Sequence, residues 1–393
     1  MRLRFHPALP SFFQPHPRLR RCVVVLMWIA AITPLPPMSA SEKSAVAIAT
    51  SFDWERWPDM PDPVGLKGTY TGLNAGHLIL AGGSNFPVPR NDGGSKELSR
   101  QIWTRAASTD VDAPWLLVSQ QLPTGRAEGA VVTTERGVVG IGGLSPAGAL
   151  AEVVLFNYQS NTGEVTLRAL PELPEPWANA AAVYTEGILY VAGGENGDRA
   201  SDQLWSLDLA AAERNPAGTT WTRLPSWPGP ARFGAMMTTL SVAGRPQLVL
   251  VGGRVKTGQP VQAADYLSTA LTFDLQSRTW AKLPDMPHPS LLGAVLPLDT
   301  YRMAVLGGSD GHNLDRMAEM GARYRIPDQV MVYDSHLGKW TLADPMPLGV
   351  VGAPIVPLSA DNWLLVGGEY SPSLRTPRIY RVNLTAKSTG GLR

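Results

Sequence analysis

Cysteine is nearly missing from this chain: Cys22 is the only one among 393 residues. A framework of disulfides is therefore excluded, and so is a zinc site built from several cysteines. The formal net charge is only +1 at pH 7. Because nucleic acids and anionic membranes attract proteins with a strong basic excess, the charge favours neither partner.

Long apolar stretches are also scarce, and the clearest one is Cys22–Ile32. It follows five arginines without an acidic residue and precedes a segment of small residues that ends near Ala40. Its eleven residues are too few to span a bilayer, which needs about 20. We therefore predict a secretory signal over residues 1–40, a linker over 41–51, and a mature protein in the periplasm without a membrane anchor. Removal of the signal leaves 29 basic and 33 acidic residues, a net charge of −4.

Helical periodicity is missing from almost every window, and only Asn313–Arg325 could hold a helix. Short apolar runs that end in a Gly-Gly pair recur instead. The six pairs are Gly82-Gly83, Gly142-Gly143, Gly193-Gly194, Gly252-Gly253, Gly307-Gly308 and Gly367-Gly368. Successive pairs are 60, 51, 59, 55 and 60 residues apart, close to the roughly 50 residues of a kelch repeat. Together with 39 glycines and 35 prolines, this repeat predicts an all-β, six-bladed kelch β-propeller.

The last blade is divided between the two ends of the chain. After its final Gly-Gly pair, the sequence holds one further strand, predicted at Ile379–Leu384, but no Trp-x-x-x-Pro element like those that mark outer strands elsewhere. The segment Trp54–Pro61 has the same pattern as Trp280–Pro287 and can supply the missing strand. We therefore predict one propeller over residues 52–386, with its last blade closed by the N-terminal strand, and a short tail over 387–393.

The face of the propeller that carries the Gly-Gly loops is the expected binding face. Loops after the Gly-Gly pairs and loops that enter the innermost strands both emerge there, around the central channel, and a small polar ligand would bind among their polar groups. Two loops are long, Ser84–Gln101 and Ser309–Gln329, and are predicted to cover a site. Most charged residues on such loops are only solvated. The candidate catalytic and substrate-binding residues are Asn85, Arg126, Glu195, Arg232, Glu369 and Arg375.

Three stretches resemble one known family over residues 53–385. Trp363–Thr376 (WLLVGGEYSPSLRT) is similar to a characteristic stretch of the bacterial kelch-type N-acetylneuraminate epimerases, also called sialic acid mutarotases, in their cyclically permuted branch. Asp62–Gly83 and Gly125–Gly129 are similar to two further stretches of that family. The Glu-x5-Arg spacing is far more specific than Gly-Gly pairs, which occur in propellers of many functions. The chain departs from the family in its blade order and at Glu128, where the family has tyrosine.

The resemblance implies an isomerase that interconverts the α and β anomers of N-acetylneuraminate or a related acidic sugar. It implies Glu369 as the proton acceptor in the opening of the sugar ring, and Arg375 as its partner at the sugar. A guanidinium could hold the sugar's carboxylate through two hydrogen bonds, and Arg126 and Arg232 could assist. We predict a small sugar as the ligand, no cofactor or metal, and no obligate protein partner.

Other classes of propeller fit the residues less well. A copper radical oxidase needs a cysteine–tyrosine cross-link and paired histidine ligands, but the chain beyond the signal has no cysteine and four histidines. A sialidase is also six-bladed, yet the S-x-D-x-G-x-x-W box is absent from the sequence. A non-catalytic kelch propeller that binds a glycan or a protein remains the alternative.

Overall fold

Six four-stranded antiparallel sheets form a ring in the computed structural model, which describes residues 50–108, 112–258 and 260–386. The innermost strand of each sheet contacts the innermost strands of both neighbouring sheets. The predicted six-bladed kelch propeller is therefore confirmed, and we number its sheets as blades 1 to 6. The predicted signal over 1–40 and tail over 387–393 lie outside the described residues.

The blades have the same strand order from the channel outward. The innermost strands of blades 1 to 6 are Tyr70–Asn74, Ala130–Thr134, Ala181–Thr185, Met236–Val242, Ala294–Pro297 and Ile355–Ser359. The second strands are His77–Ala81, Gly137–Ile141, Ile188–Ala192, Arg245–Val251, Arg302–Leu306 and Asn362–Val366. The third strands are Ile102–Ala106, Val153–Gln159, Leu204–Asp208, Ala270–Asp274, Val330–Asp334 and Ile379–Ala386. The outermost strands are Leu116–Leu117, Glu164–Leu170, Thr222–Leu224, Thr279–Lys282, Lys339–Ala343 and, in blade 6, Thr50–Trp57.

The N-terminal strand closes blade 6, as predicted. Thr50–Trp57 pairs along its whole length with Ile379–Ala386, from Thr50 opposite Ala386 to Trp57 opposite Ile379. The propeller therefore begins two residues earlier than predicted, because Thr50 and Ser51 belong to this strand rather than to a linker. Phe52 packs into the core between blades 5 and 6, and Trp57 into the core between blades 6 and 1.

The hydrophobic core lies between neighbouring blades, which explains why the second strands are apolar on both faces. Side chains alternate across a strand, so Leu78 and Leu80 pack toward blade 6 while Ile79 packs toward blade 2. All three are fully buried. A continuous apolar run is therefore what a strand between two blades requires.

The Gly-Gly pairs allow each blade to approach the next one closely. Gly82 has a φ of +64°, and a Cβ built there would lie 2.4 Å from the carbonyl oxygen of Arg126 in blade 2. Gly83 donates its N–H to that same oxygen at 2.8 Å. Any side chain at Gly82 would thus force the two blades apart, and the glycines are structural.

Tryptophans on or beside the outermost strands also join neighbouring blades. Trp280 donates its indole N–H to the carbonyl of Pro225 at 2.7 Å, and Trp340 donates to that of Pro284 at 2.8 Å. In each case the acceptor belongs to the preceding blade. The repeated Trp-x-x-x-Pro element is therefore a fixed contact between blades, since its tryptophan is a donor and its proline carbonyl an acceptor.

The loops contain short hairpins and helical turns. Two-stranded hairpins follow four of the Gly-Gly pairs: Ser84–Asn85 with Glu97–Leu98, Leu144–Ser145 with Gly148–Ala149, Glu195–Asn196 with Arg199–Ala200, and Glu369–Ser371 with Leu374–Arg375. The α-helices are Leu209–Arg214 and Met317–Met320, and the 3-10 helices are Arg90–Asp92, Ala263–Asp265, Leu314–Arg316 and Gly321–Arg323. The segment 313–325 thus forms helical turns, as its sequence suggested, whereas Leu209–Arg214 was not predicted. None of the helices in the described ranges is long and apolar enough to cross a membrane.

Candidate active site at the channel mouth

Six backbone hydrogen bonds close a ring around the channel, with one residue from each blade. In order of donor and acceptor, the pairs are Gly68 to Gly352, Glu128 to Gly68, Asn179 to Glu128, Gly234 to Asn179, Leu292 to Gly234, and Gly352 to Leu292, with N···O distances of 2.7 or 2.8 Å. We call these six residues the mouth ring. The residue before each of them forms a β-bridge with the residue after a Gly-Gly pair, so the ring lies at the end of the channel where those loops emerge.

Every member of the mouth ring has a left-handed backbone, although only three are glycines. Glu128, Asn179 and Leu292 have φ values of 62°, 52° and 56°. A non-glycine residue in this region costs about 1–2 kcal/mol. The side chains of Glu128 and Asn179 both make polar contacts with neighbouring loops. Strain of this kind is often found at functional sites, so these residues indicate a site at the ring.

Glu369 and Arg375 form an ion pair beside the ring. They are opposite each other in the hairpin Glu369–Ser371/Leu374–Arg375, and Nη1 of Arg375 donates to Oε2 of Glu369. Glu369 is fixed to its blade by backbone hydrogen bonds in both directions with Val351, the neighbour of ring residue Gly352. The Glu369 side chain is 18% exposed, so it remains partly accessible to solvent.

Arg375 is far less accessible than its partner, with 2% of its side chain exposed. Its Nε donates to the carbonyl of Ser84 at 3.2 Å, and its guanidinium lies 5.0 Å from the ring centre of Phe86. Burial lowers the pKa of Arg375 to about 10. Two of its donor groups already have protein acceptors. The geometry therefore favours Arg375 as a residue that positions Glu369, rather than one that binds a sugar carboxylate through two hydrogen bonds. Arg375 ends the hairpin, and the third strand of blade 6 begins four residues later, at Ile379.

Glu128 lies on the mouth ring between two lysines. Lys96 donates to its Oε1 at 2.7 Å, and Nζ of Lys67 lies 3.5 Å from the same oxygen. Burial alone would raise the pKa of Glu128, but the charges of Lys67 and Lys96, with a smaller contribution from Arg375, lower it to about 2. Glu128 therefore stays ionised at neutral pH and holds the two lysines at the mouth.

Glu195 and Asn85, two predicted substrate contacts, lie on the hairpins of blades 3 and 1. Glu195 accepts hydrogen bonds from Asn179 of the mouth ring at 2.7 Å and from Lys256 at 2.6 Å. Asn85 donates to a carboxylate oxygen of Asp62 at 2.9 Å. Both hairpins border the mouth, but no hydrogen bond or ion pair joins either side chain to Glu369 in the described part of the chain. Their contact with a substrate stays a prediction.

Arg126 and Arg232 lie between blades. The carbonyl of Arg126 accepts from Gly83 of blade 1, and its guanidinium pairs with Glu152 of blade 2. Arg232 donates to Thr269 at 2.7 Å, and burial lowers its pKa to about 10. Both are at most 2% exposed. These contacts give both arginines protein partners, although Nε of each is buried without a hydrogen-bond partner in the described ranges. No hydrogen bond or ion pair joins either side chain to Glu369, and their role at a sugar stays a prediction.

The long loop of blade 5 packs against the Glu369 hairpin. Ile326 donates its N–H to the carbonyl of Tyr370 at 3.1 Å, and the guanidinium of Arg325 lies 5.6 Å from the ring centre of Tyr370. Tyr324 and Ile326 are buried against ring residue Leu292. The loop therefore borders the ion pair, in a position that agrees with the prediction that it covers a site.

Two cavities lie at this end of the propeller. One, of about 120 Å³, lies on the mouth ring and is lined by Lys67, Glu128 and Asn179, among others. The other, of about 350 Å³, lies between the blade 5 loop and the Glu369 hairpin and is lined in part by Arg325 and Arg375. The second has a volume typical of sites for small ligands. Within the described ranges, no cluster of three or more His, Cys, Asp or Glu residues is placed to hold a metal ion.

Several residues at the mouth were not selected by sequence reasoning. Lys96 lies in a long loop without periodicity, and Lys256 lies three residues after a Gly-Gly pair. Arg254 directly follows Gly252-Gly253, the place that Glu369 occupies in blade 6. Its guanidinium lies over Phe233, 4.8 Å from the ring centre. Alignment of the six Gly-Gly pairs places Arg254 among the loop residues at the mouth, but this position alone does not distinguish it from the others.

The fold and the repeat define this chain as a six-bladed kelch propeller with a carboxylate–guanidinium pair at its channel mouth. The kelch motif matches residues 176–226, which include all four strands of blade 3. A solved structure described as "Structure of YjhT" superposes with a TM-score of 0.61 at 15% identity, over 84% of this chain and 99% of the other chain. At that identity the superposition supports the fold alone.

The curated relatives are named N-acetylneuraminate epimerase. The one from Brucella melitensis biotype 1 (strain 16M) is 27% identical over 248 residues, and the one from Yersinia pestis (strain Pestoides F) is 26% identical over 236 residues. The match spans 54% of this chain and 58% and 56% of the two relatives, so little more than half of their length is covered. The predicted resemblance to kelch-type N-acetylneuraminate epimerases is thereby confirmed, while the permuted blade order remains a prediction.

Proposed function

We propose that this protein is a sugar mutarotase that interconverts the α and β anomers of an acidic sugar, N-acetylneuraminate or a close relative. The observation that carries the proposal is the Glu369–Arg375 pair at the channel mouth, within the stretch that resembles the epimerases. The names of the curated relatives support the same reaction class. In keeping with the basic and apolar N-terminal segment, we also propose that the protein is exported to the periplasm.

The reaction needs a group that accepts a proton and then returns it. Glu369 takes the proton of the anomeric hydroxyl while the bond between the anomeric carbon and the ring oxygen breaks, and the ring oxygen is protonated. Rotation of the open carbonyl form exposes its other face, and reclosure reverses the proton transfers. Arg375 positions the carboxylate through the hydrogen bond from Nη1, because its own place is fixed by Ser84 and Phe86.

An acidic substrate is favoured by the cations at the mouth. Lys96 pairs with Glu128 of the mouth ring, and Arg254 directly follows a Gly-Gly pair with its guanidinium over Phe233. The planar guanidinium of an arginine over an aromatic ring is suited to bind a carboxylate. We therefore propose that Arg254 receives the carboxylate of the sugar.

Anomer exchange measured by NMR tests the proposal. The wild-type protein should accelerate exchange of N-acetylneuraminate and not of a neutral aldose such as glucose. Glu369→Gln keeps the size of the side chain but removes the proton acceptor, so the catalysed rate should fall about 10²-fold or more. The matched control is Glu195→Gln, since Glu195 holds the equivalent place in blade 3 and should not be the base.

The exchange rates test the substrate class and the presence of catalysis as well as the identity of the base. Faster exchange of neutral aldoses, with N-acetylneuraminate unaffected, would contradict the acidic substrate. If wild-type protein binds a sugar without accelerating exchange of any member of the panel, the chain is a non-catalytic binding propeller. Wild-type rates in Glu369→Gln together with loss in Glu195→Gln would place the base in blade 3.

A further inference from the structure

We propose that Lys67 is the proton donor to the ring oxygen of the sugar. This inference rests on the proposed mutarotase function and adds the second group that acid–base ring opening requires. Glu369 can accept the anomeric proton, but its partner Arg375 is only 2% exposed and already donates to Glu369 and to the carbonyl of Ser84, so it is not placed to donate to the ring oxygen. Another side chain at the mouth must therefore protonate the ring oxygen.

Lys67 lies between the ion pair and the mouth ring. The carbonyl oxygen of Ser84 accepts hydrogen bonds from the backbone N–H of Lys67 at 2.9 Å and from Nε of Arg375 at 3.2 Å. The two residues are thus held on one backbone carbonyl. The ammonium group of Lys67, in blade 1, extends to within 3.5 Å of Glu128 in blade 2. Glu369 belongs to blade 6, the other neighbour of blade 1.

Gly352 allows the lysine side chain to lie over the ring. This glycine has a φ of +64°, and a Cβ built there would lie 2.7 Å from Cε of Lys67. Its preceding residue, Val351, makes the backbone hydrogen bonds that fix Glu369. The Lys67 side chain therefore crosses the backbone next to the base, with 12% of its surface exposed, and lines the cavity on the ring.

Lys67 keeps N–H donors that Glu128 does not use. Lys96 makes the close hydrogen bond to Oε1 of Glu128, at 2.7 Å, whereas the Lys67 contact with that oxygen is long, at 3.5 Å. An ammonium group has three N–H donors, and Glu128 is the acceptor that the described residues provide for the Lys67 ammonium. Glu128 is thus a positioning residue that uses one N–H donor of Lys67 and leaves the other two for a substrate.

The proposed step is balanced in protons and electrons. The anomeric O–H proton goes to the Glu369 carboxylate, the O–H electrons form the carbonyl, and the bond from the anomeric carbon to the ring oxygen breaks. That oxygen takes a proton from the Lys67 ammonium, which becomes a neutral amine. After rotation about the bond next to the carbonyl, the new hydroxyl attacks the other face and returns its proton to Lys67, while Glu369 protonates the carbonyl oxygen.

Substitutions that separate charge from proton donation test the inference. Lys67→Met removes both, and Lys67→Arg keeps the charge but supplies a much weaker acid. Both variants should lower the rate of catalysed anomer exchange at saturating N-acetylneuraminate by about 10²-fold, with sugar affinity within about threefold of wild type. The matched control is Lys282→Met, at an exposed lysine on the outermost strand of blade 4 that pairs with Asp285, and this variant should retain the wild-type rate.

A chemical rescue keeps the test decisive if the side chain also matters for folding. In a Cys22→Ser background, Lys67→Cys should be inactive, and alkylation with 2-bromoethylamine, which creates a lysine analogue at residue 67, should restore exchange. The treated Cys22→Ser parent should be unchanged. Failure of the alkylated protein to regain activity, with its melting temperature intact, would contradict the proposal.

Other outcomes separate this inference from the proposed function. Wild-type rates in Lys67→Arg would mean that only charge is needed, and wild-type rates in Lys67→Met would mean that Lys67 is not involved. Weakened binding of the acid but not of its methyl ester would make Lys67 the carboxylate site. Each of these overturns the proton-donor role while Glu369→Gln still abolishes exchange, whereas an absence of exchange in the wild type would overturn the function itself.

Discussion

Glu369 and Arg375 are register partners in a two-stranded hairpin, and their side chains form an ion pair in which Glu369 is partly exposed and the guanidinium of Arg375 is buried. This difference in exposure suggests different roles for the two side chains. The carboxylate can meet a substrate, while Arg375 contacts protein groups on three sides, namely Glu369, Ser84 and Phe86.

Replacement of Arg375 should therefore affect acidic and neutral ligands alike. Arg375→Lys keeps the charge but loses the Nε hydrogen bond to Ser84 and the planar contact with Phe86, so Glu369 should be misplaced and exchange should slow. Arg375→Ala should also lower the free energy of unfolding by about 1–3 kcal/mol, because a hydrogen bond to a charged group is lost. NMR exchange rates for N-acetylneuraminate and its methyl ester give the comparison. A loss confined to the acid would instead mean that the guanidinium binds the sugar's carboxylate.

The fold could be predicted because its features are repeated in the sequence. Gly-Gly pairs, apolar second strands and the Trp-x-x-x-Pro element each fix a contact between blades, and the split of the last blade follows from one missing element, supplied by Trp54–Pro61. The helix Leu209–Arg214 was missed because six residues are too few to show a helical period.

The site could be predicted only in part. Glu369 and Arg375 are close in sequence, so their pairing is local, whereas Glu128 meets Lys96 through a contact between residues 32 positions apart. The mouth ring could not be recognised in the sequence, because Glu128 and Leu292 take left-handed conformations that glycine usually occupies. Arg126 and Arg232 lie on loops that enter the innermost strands, but their side chains point between blades, a direction that loop position alone does not specify.

The charge of Glu128 should make stability depend on pH in the acid range. Its pKa is lowered to about 2 in the folded protein, against about 4.3 in an unfolded chain. A lowered pKa contributes stability above the unfolded value, and this contribution disappears as the pH falls toward the folded value. Glu128→Gln should therefore be less stable than wild type at pH 7, and the difference should shrink between about pH 4.3 and 2. Urea unfolding at several pH values measures it, and a difference independent of pH would contradict the ionic role.

Arg254 should determine the preference for acidic sugars. Arg254→Met keeps an unbranched apolar stem against Phe233 and removes the guanidinium, so binding of N-acetylneuraminate should weaken while binding of its methyl ester should not change. The loss of a carboxylate partner at a desolvated site costs about 2–5 kcal/mol. Isothermal titration calorimetry with N-acetylneuraminate and its methyl ester measures the two changes in binding free energy. Arg199→Met is a suitable control, because Arg199 also lies over an aromatic ring, Trp177, but pairs with Glu175. Equal affinity of Arg254→Met and wild type for the acid would place the carboxylate elsewhere.

Closure of the ring by the N-terminal strand should be a main source of stability. Phe52 is 8% exposed and packs between blades 5 and 6, so Phe52→Ala should lower the free energy of unfolding by about 3–5 kcal/mol. Glu55 lies on the same strand with an exposed side chain and a loose contact to Arg381 at 3.9 Å, so Glu55→Ala should change stability by less than about 0.5 kcal/mol. Deletion of residues 50–57 should leave the edge of Ile379–Ala386 unpaired and promote aggregation. Thermal melts compare the three variants with wild type. If Phe52→Ala and the deletion melt at the wild-type temperature, the N-terminal strand does not hold the propeller closed in solution.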